Sequence, residues 1–283
     1  MQTSPDGVLD DGALWQLLAE DAPYGDLTTE ALAIGARAGC IRFFARDPMT
    51  VCGTEEAYRL CELSGARAEL HVASGQFAPP DTLLLEAEGT AEVLHRVWKT
   101  AQTLLEWCSG VASCAAEIQA AARRGHPDAR VAGTRKNVPG VRRLAVKAFR
   151  AGGAVMHRCG LSESVLIFAE HRQFLGDETP ATTLTRVRRH CPKQPIVVEV
   201  HSRDQALAWA GADVLQLEKF TPAAVAETVA ALNNCAATPL IAAAGGIHAG
   251  NAEDYARAGA RLLVTSAPHQ APPRDVQVRF VPA

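Results

Sequence analysis

The segment IVVEVHSRDQALAWAGADVLQLEKF, residues 196–220, carries the pattern that decides the fold. It contains two short apolar runs, Ile196–Val200 and Val214–Leu217, separated by a more polar stretch. Each run is too short to be a buried helix, and too continuous to be a strand with one face in water. Such runs are typical of the inner strands of a parallel sheet, so we interpret the segment as one βα unit and the strand that follows it.

The same alternation continues through the second half of the chain. A complete eight-unit barrel usually takes about 250 residues, and this half is shorter. We therefore expect an α/β fold with a seven-stranded TIM-like α/β barrel, closed or open, and a doubly wound open sheet is the alternative. The predicted strands are Arg130–Thr134, Ala154–His157, Val165–Phe168, Ile196–Val200, Val214–Leu217, Leu240–Ala243 and Leu262–Thr265.

The first part of the chain has a different pattern, which predicts an N-terminal α/β sandwich over residues 1–113. The tail, residues 271–283, is expected to return to it, and residues 114–270 form the barrel domain. Helical spacing of leucines begins just after Asp10 and Asp11, either of which could cap the first helix. The predicted elements are helices Ala13–Ala19, Thr54–Ser64, Glu92–Trp107 and Ala112–Arg124, and strands Gly39–Ala45, Ala68–Val72 and Thr82–Ala87.

Composition and charge exclude several classes of protein. The formal net charge of -3 provides no basic field for nucleic acid or an anionic membrane. No stretch approaches the roughly 20 apolar residues of a membrane span, and the first residues do not resemble a signal peptide. The eight cysteines form no C-x-x-C pair, as expected of reduced thiols. We expect a cytoplasmic protein that binds neither nucleic acid nor membrane.

Cationic side chains follow five successive predicted strands. Reactive residues in βα folds gather at the carboxyl ends of strands, so these side chains should form a ring. A single arginine there would usually be a solvated surface group, but a ring of cations predicts a ligand with several negative charges, because guanidinium groups pair with carboxylate or phosphate. The cationic residues are Arg135, Lys136, His157, Arg158, His171, Arg172, His201 and Lys219.

The last two predicted strands end in small or hydroxylated residues. Gly245 and Gly246 would let the backbone present its N–H groups, and Thr265 and Ser266 add hydroxyl donors. Loops at these positions of a barrel often bind a phosphate, although a plain turn would also use two glycines.

Two carboxylates, Glu199 and Glu218, lie within the predicted ring of cations. They could bind Mg²⁺, which usually takes one or two carboxylates together with substrate phosphates. They could also stabilise a developing positive charge on a sugar. Ion pairing with the neighbouring arginine and lysine side chains is the third interpretation.

Motifs along almost the whole chain, from about residue 10 to 270, resemble the quinolinate phosphoribosyltransferase family. The Thr-Arg-Lys and His-Arg motifs, in this order, are highly specific. The matching segments are Gly25-Asp26-Leu27-Thr28-Thr29, Ser109-Gly110-Val111-Ala112, Thr134-Arg135-Lys136, Pro139-Gly140-Val141-Arg142, Lys147, His157-Arg158, Val198-Glu199-Val200 and Gly245-Gly246-Ile247.

The resemblance implies a transferase that moves phosphoribosyl from phosphoribosyl pyrophosphate to quinolinate with Mg²⁺, releasing pyrophosphate and CO₂. It implies a homodimer, or a higher oligomer, with shared active sites. It implies that Arg135, Lys136, His157 and Arg158 bind the acceptor and pyrophosphate, that Lys99 stands at a position lent to the acceptor across the dimer, and that Gly245, Gly246, Thr265 and Ser266 bind the 5′-phosphate. From the residues themselves we add Phe168, His201 and Lys219 as substrate-binding candidates and Glu199 and Glu218 as metal ligands, and we expect Lys136, Glu199 and Glu218 to be catalytic.

Several residues depart from the family pattern. Phe168 stands where the family has a lysine, His201 where it has a glutamate, and Lys99 where it has an arginine. The Phe-x-x-His-Arg and Gln-Leu-acidic-Lys-Phe segments resemble the ModD branch, which implies an association with molybdenum transport. We expect an anionic, heteroaromatic acceptor of altered shape that packs against Phe168. Alternatively, Phe168 faces the core and Lys219 faces solvent.

Two other functions remain open at this point. A non-catalytic protein that binds an anion or nucleotide could retain such a pocket, and Phe168 and His201 favour it because each replaces a charged position. An aldolase or isomerase acting on a phosphosugar would use a similar barrel, but it would need a buried Schiff-base lysine or a lone catalytic glutamate. Release of pyrophosphate from phosphoribosyl pyrophosphate separates the transferase from both.

Overall fold

A computed structural model of the chain describes residues 7–235 and 237–283, which divide into two compact units. The first unit takes the residues up to Ala116, together with Val138–Gly153 and Pro268–Ala283. The second takes Glu117–Asn137 and Ala154–Ala267.

The strands and helices are numbered along the described chain. The strands are β1 (Ala38–Ala45), β2 (Met49–Thr50), β3 (Arg67–Leu70), β4 (Phe77–Ala78), β5 (Leu83–Thr90), β6 (Arg130–Gly133), β7 (Val155–Met156), β8 (Val165–Ile167), β9 (Ile196–Val200), β10 (Val214–Glu218), β11 (Leu240–Ala244), β12 (Leu262–Thr265) and β13 (Val276–Pro282). The helices are α1 (Asp11–Asp21), α2 (Leu27–Ala31), α3 (Thr54–Leu63), α4 (Ala91–Gly125), α5 (Arg142–Ala151), α6 (Ala169–Arg172), α7 (Pro180–His190), α8 (Arg203–Ala208), α9 (Pro222–Leu232) and α10 (Ala252–Arg257).

The first unit is built on an antiparallel sheet with strand order β13-β1-β5-β3. Helix α3 packs on β3 and β5, and α1 packs on α3. Asp10 caps α1 by accepting a hydrogen bond from the backbone N–H of Ala13 at 2.9 Å. Phe43 and Leu85, which face each other across β1 and β5, are fully buried. Each such side chain contributes roughly 1.5–3 kcal/mol of burial free energy.

The two helices that the sequence predicts for Glu92–Trp107 and Ala112–Arg124 are one continuous helix, α4, of 35 residues. The prediction of a break was wrong because Gly110 is not a helix end. A Cβ atom on Gly110 would lie 2.4 Å from the backbone oxygen of Pro272, so glycine is required for close packing of the chain against the helix.

A buried ion cluster joins α5 to α3 within the first unit. Lys147 Nζ lies 2.7 Å from Glu55 Oε2 and 2.5 Å from Glu56 Oε2. Glu55 also accepts hydrogen bonds from the Ser74 backbone N–H and hydroxyl, and Glu56 accepts one from the Val8 N–H. Although burial opposes its charge, the two carboxylates raise the pKa of Lys147. This cluster is a fully satisfied structural network.

The second unit contains a parallel sheet with strand order β7-β6-β12-β11-β10-β9-β8 among its described residues. Read from β8, the strands follow chain order up to β12 and continue with β6 and β7. The sheet therefore curls towards closure, with one opening between β7 and β8. The seven predicted strands are confirmed, with ends that differ by no more than one residue. The fold is therefore a curled, open relative of the predicted barrel, and the doubly wound alternative is wrong, because its strand order would reverse partway across the sheet.

Small side chains fill the interior of this curled sheet. Ala132, Ala242, Ala244 and Val264 form one buried cluster, with Val214 and Leu262 packed beside it. Because side chains alternate along a strand, the residues two positions after these face the same interior side of the sheet. They stand at the carboxyl ends of the strands, where the predicted site residues lie. Within the described ranges, no helix has both the length and the apolar character needed to span a bilayer.

Candidate active site

The cationic part of the site is formed by two neighbouring strands of the second unit, β6 and β7. Arg135 and Lys136 follow β6, and His157 and Arg158 follow β7. The two strand ends are held together by a hydrogen bond from the His157 N–H to the Gly133 oxygen, 3.0 Å long. Arg135 and Lys136 are exposed, whereas Arg158 is only 6% exposed.

Arg158 is a buried cation with no counter-ion in the described part of the chain. Its guanidinium carbon lies 5.7 Å from the centre of the Phe168 ring. Burial, followed by the positive charge of Arg135, lowers the pKa of Arg158. Burying a charge without a partner is unfavourable. The arrangement is therefore that of a site which binds an anion.

His157 precedes Arg158 in the chain, and its pKa is lowered as that of Arg158 is. Burial, and then the charge of Arg158, lower the pKa of His157 below its ordinary value of 6.5. Its imidazole is consequently neutral near pH 7 and can both donate and accept a hydrogen bond.

Phe168 provides an aromatic wall beside Arg158. Its ring is half-buried and stacks on the His171 ring, with centres 5.7 Å apart and planes at 13°. The Phe168 backbone N–H donates to His171 Nδ1 at 3.0 Å, which fixes the His171 ring beside it. Phe168 is thus not a core residue, and one face of this pocket is aromatic.

The carboxylate part of the site lies on β9 and β10. Glu199 and Gln216 are direct neighbours in the register of these strands, and Gln216 Nε2 donates to Glu199 Oε2 at 2.9 Å. His201 Nε2 lies 3.5 Å from Glu199 Oε1. Burial, followed by the negative charge of Glu218, raises the pKa of Glu199. Glu218 stands two residues after Gln216 on the same face of β10, so the two carboxylates lie on neighbouring strands near the same sheet edge.

The predicted ion pairing of these carboxylates with arginine or lysine is not found. Among the residues that the structure describes, Glu218 forms no ion pair and Glu199 pairs only with His201. Two neighbouring carboxylates without a strong cation fit a divalent metal that completes its shell with phosphate and water.

The described residues bring three metal-ligating groups together only in the first unit, at Glu69, His71 and Glu86. There Glu86 is already bound to Arg42, with 2.9 Å between Oε2 and Nε. In the second unit, the pair Glu199 and Glu218 offers only two protein ligands. Two carboxylates are what a magnesium site needs when substrate oxygens supply the rest.

The predicted phosphate loop begins where β11 ends. Gly245 and Gly246 have φ angles of 90° and 81°, which favour glycine. A Cβ atom on Gly245 would lie 2.7 Å from Lys219 Cγ and 3.0 Å from Glu218 Oε1. Within the described residues, the N–H groups of Gly245, Gly246 and Ile247 donate to no protein group. Successive free N–H groups of this kind form an anion-binding concavity.

The two hydroxyl residues after β12 have different roles. Thr265 is buried, and its hydroxyl donates to the Ile247 oxygen at 2.7 Å while accepting from the Ala267 N–H at 3.0 Å. Its side chain therefore shapes the glycine loop and is not available to a ligand. The Ser266 hydroxyl bonds to no residue in the described ranges and remains available.

Lys219 follows Glu218 directly and has a φ of 59°, an unfavourable value for lysine. Its backbone N–H donates to the Ala244 oxygen at 2.8 Å, and its side-chain stem lies over Gly245. The side chain is exposed and forms no ion pair with the described residues. Strained residues of this kind concentrate at functional sites.

Lys99 belongs to the first unit, on α4. Its ammonium group donates to Gln102 Oε1 at 3.0 Å and lies 4.9 Å from the centre of the Trp98 ring. All the other predicted site residues lie in the second unit.

Gln216 and Gln205 are site residues that the sequence patterns did not predict. Gln216 supports Glu199, and Gln205 Oε1 accepts from Arg172 Nη2 at 3.4 Å and from the His201 N–H at 3.0 Å. Arg172 also donates to the backbone oxygen of Glu199. For Gln216 the available signal was a glutamine inside an otherwise apolar run, because a buried amide requires a partner.

Comparisons with known proteins identify the family of the chain. Residues 26–109 match the sequence model "Quinolinate phosphoribosyl transferase, N-terminal domain", and residues 111–279 match the C-terminal domain of the same family. A Rhodobacter capsulatus protein named "Putative pyrophosphorylase ModD" is 49% identical over 257 residues, covering 90% of this chain and 99% of the relative.

More distant relatives extend the similarity. The nicotinate-nucleotide pyrophosphorylase [carboxylating] of Mycobacterium leprae is 30% identical over 257 residues, covering 88% of this chain and 89% of its own. The solved structure of the Francisella tularensis nicotinate-nucleotide pyrophosphorylase has a TM-score of 0.84 at 20% identity, covering 94% of each chain, and it supports the fold. The chain therefore belongs to the quinolinate phosphoribosyltransferase family.

Proposed function

We propose that this protein transfers phosphoribosyl from phosphoribosyl pyrophosphate to an anionic heteroaromatic acceptor of the quinolinate type. The acceptor nitrogen forms a bond to the sugar carbon while the bond from that carbon to pyrophosphate breaks. With quinolinate, loss of CO₂ leaves its electron pair on the ring, where a proton replaces it and gives nicotinate mononucleotide. The similarity to proteins named pyrophosphorylases supports this reaction class.

The observation that carries the proposal is the buried guanidinium of Arg158, which has no counter-ion among the described residues. Arg135 and Lys136 add positive charge on the neighbouring strand end. A pyrophosphate or an acceptor carboxylate would supply the missing negative charge, and it would accept charge-assisted hydrogen bonds from these groups.

The remaining site residues are each suited to a different part of the two substrates. The free N–H groups after β11, together with the Ser266 hydroxyl, suit the 5′-phosphate. Lys136 neutralises charge on the departing pyrophosphate, and Lys219 adds a cation beside the glycine loop. The Phe168 ring offers a flat surface to a heteroaromatic acceptor.

Glu199 and Glu218 are the residues that would hold Mg²⁺, because they are neighbouring carboxylates without a lysine or arginine partner in the described chain. When bound, the ion would neutralise charge on pyrophosphate oxygens. Glu218 also lies beside Gly245, where it can stabilise positive charge that develops on the sugar.

A homodimer is part of the proposal, because the family resemblance assigns Lys99 to the site of a second protomer. Lysine keeps the positive charge there but gives up the bidentate geometry of an arginine. The expected association with molybdenum transport rests on the same kind of resemblance, to the ModD branch.

Release of pyrophosphate from phosphoribosyl pyrophosphate tests the proposal directly. We expect release with Mg²⁺ and quinolinate, or with a related pyridine carboxylate, and none without an acceptor. The variant Arg158→Met should abolish release, whereas Arg189→Met, which changes an exposed arginine of α7, should leave it unchanged.

The same titrations separate the alternative functions. Binding of phosphoribosyl pyrophosphate without release, for every pyridine carboxylate tried, would identify a non-catalytic binding protein. Failure of wild-type protein to bind either phosphoribosyl pyrophosphate or pyrophosphate in calorimetry would contradict the proposed function altogether.

A further inference from the structure

Gln216 is a polar residue inside an apolar strand. It is 5% exposed, and its neighbours Leu215 and Leu217 are fully buried. Because side chains alternate along β10, Gln216 faces the opposite side from these leucines, the same side as Glu218. The register places Gln216 between Glu199 on β9 and Ala242 on β11.

The amide of Gln216 is only half satisfied. Its Nε2 donates to Glu199 Oε2 at 2.9 Å, but its Oε1 is buried without a hydrogen-bond partner in the described chain. With Nε2 facing Glu199 Oε2 a donor meets an acceptor, whereas exchanging the two amide atoms would bring two oxygens together. An unpaired buried acceptor lowers stability, and an apolar side chain at this position would avoid that loss.

Glu199 is fixed from several directions. Its backbone oxygen accepts from Arg172, its Oε2 accepts from Gln216, and its Oε1 lies 3.5 Å from His201 Nε2. Glu218 lies two residues after Gln216 on β10 and faces the same side, so it brings a second negative charge to this part of the sheet. Gln216 is the side chain that holds Glu199 at Oε2.

We propose that Gln216 is a positioning residue that holds the Glu199 carboxylate in one orientation beside Glu218. The protein is less stable for it, because this arrangement leaves Oε1 of Gln216 buried without a partner in the described chain. The inference rests on the proposed function, since it gives Glu199 and Glu218 a joint role in binding a divalent cation. Residues that orient metal ligands commonly change metal affinity when they are replaced.

The test compares two buried glutamines of the same unit. Gln119 is 3% exposed, and both of its amide atoms bond to the backbone, at Ala129 and Val131. Gln119→Met removes two satisfied bonds away from the site. Gln216→Met removes one bond to Glu199 and also removes the orphaned oxygen.

The two variants should give opposite results. We expect Gln216→Met to weaken the binding of Mn²⁺ alone, followed by electron paramagnetic resonance, by roughly 10- to 100-fold, and to melt at the same or a higher temperature than wild type. Its kcat should fall more than its KM for phosphoribosyl pyrophosphate changes. Gln119→Met should melt at a lower temperature and bind Mn²⁺ as wild type does.

A lower melting temperature with unchanged Mn²⁺ affinity in Gln216→Met would overturn the proposal, because the residue would then be structural. A wild-type protein that binds no Mn²⁺ would also overturn it. If the expected Mn²⁺ and melting results appear but phosphoribosyl pyrophosphate does not bind, the positioning role stands and the proposed function fails.

Discussion

Two buried cations of this protein have opposite surroundings. Lys147, in the first unit, contacts Glu55 and Glu56 at 2.7 Å and 2.5 Å. Arg158, in the second unit, has an aromatic ring and another arginine nearby and no carboxylate among the described residues. Both side chains belong to motifs that resemble the same family, so the sequence alone does not distinguish their roles.

The difference separates a structural charge from a functional one. The Lys147 cluster uses its hydrogen-bonding groups within the protein, so nothing remains for a ligand. The second unit leaves a guanidinium, several N–H groups and two carboxylates without strong partners, among its described residues, at one sheet edge. This edge gives up stability that a ligand can restore, as functional sites often do.

The largest expected effect is a loss of stability when the paired cation, Lys147, is removed. Lys147→Met leaves Glu55 and Glu56 buried without a cation and should lower the free energy of unfolding by about 3–5 kcal/mol. Urea denaturation followed by circular dichroism measures it. A loss below about 1 kcal/mol, a value typical of exposed pairs, would show that the cluster is not the structural element we describe.

Acid should act through the same cluster. Against the effect of burial, hydrogen bonds from Lys147 and Ser74 lower the pKa of Glu55 below its ordinary value of 4.5. Its contribution to stability is therefore present above that value and lost as the pH falls through the lower pKa of the folded state. The wild type should lose more stability than Lys147→Met does as the pH falls from about 5 to about 3; an equal loss would contradict this.

The unpaired cation should behave in the opposite way. Arg158→Met should weaken pyrophosphate binding by roughly 10- to 100-fold, since hydrogen bonds to charged groups contribute about 1.5–3 kcal/mol, and should leave the melting temperature unchanged or higher. Calorimetry and thermal melting give the two values. A destabilised Arg158→Met with normal pyrophosphate affinity would remove the distinction between the two cations.

A smaller effect is expected at the glycine loop. Gly246 has a φ of 81° and open space where a Cβ atom would lie, so Gly246→Ala adds backbone strain without a clash. We expect a loss of about 1 kcal/mol in unfolding free energy and weaker phosphate binding. Gly160 also has open space and no positive φ, so Gly160→Ala is the matched control and should change neither value.

The smallest effect is expected at Lys219, which has a φ of 59°. Lys219→Gly should raise the free energy of unfolding by about 0.5–1 kcal/mol, because glycine adopts this conformation without strain. Lys219→Ala keeps the strain and removes the charge. Weaker pyrophosphate binding in both variants, with stabilisation in Lys219→Gly alone, would show that strain and charge act separately; stabilisation in both would contradict a strain effect.

Much of the fold was predictable from local patterns. The seven strands of the curled sheet follow from runs of apolar residues that end within one residue of their observed limits. The break predicted near Gly110 failed because the reason for that glycine is a contact with Pro272, which is distant along the chain. Local patterns report local conformation, and close packing between distant segments leaves no periodic signal.

The sequence by itself determined which residues could form the site, because strand order and strand length fix which side chains follow each carboxyl end. It could not determine how those side chains are paired. That Lys147 has two carboxylates, that Arg158 has none among the described residues and that the Thr265 hydroxyl is already engaged depends on segments brought together by folding. Charge can be counted along a chain, whereas its neutralisation depends on distance in space, and only the tertiary structure sets that distance.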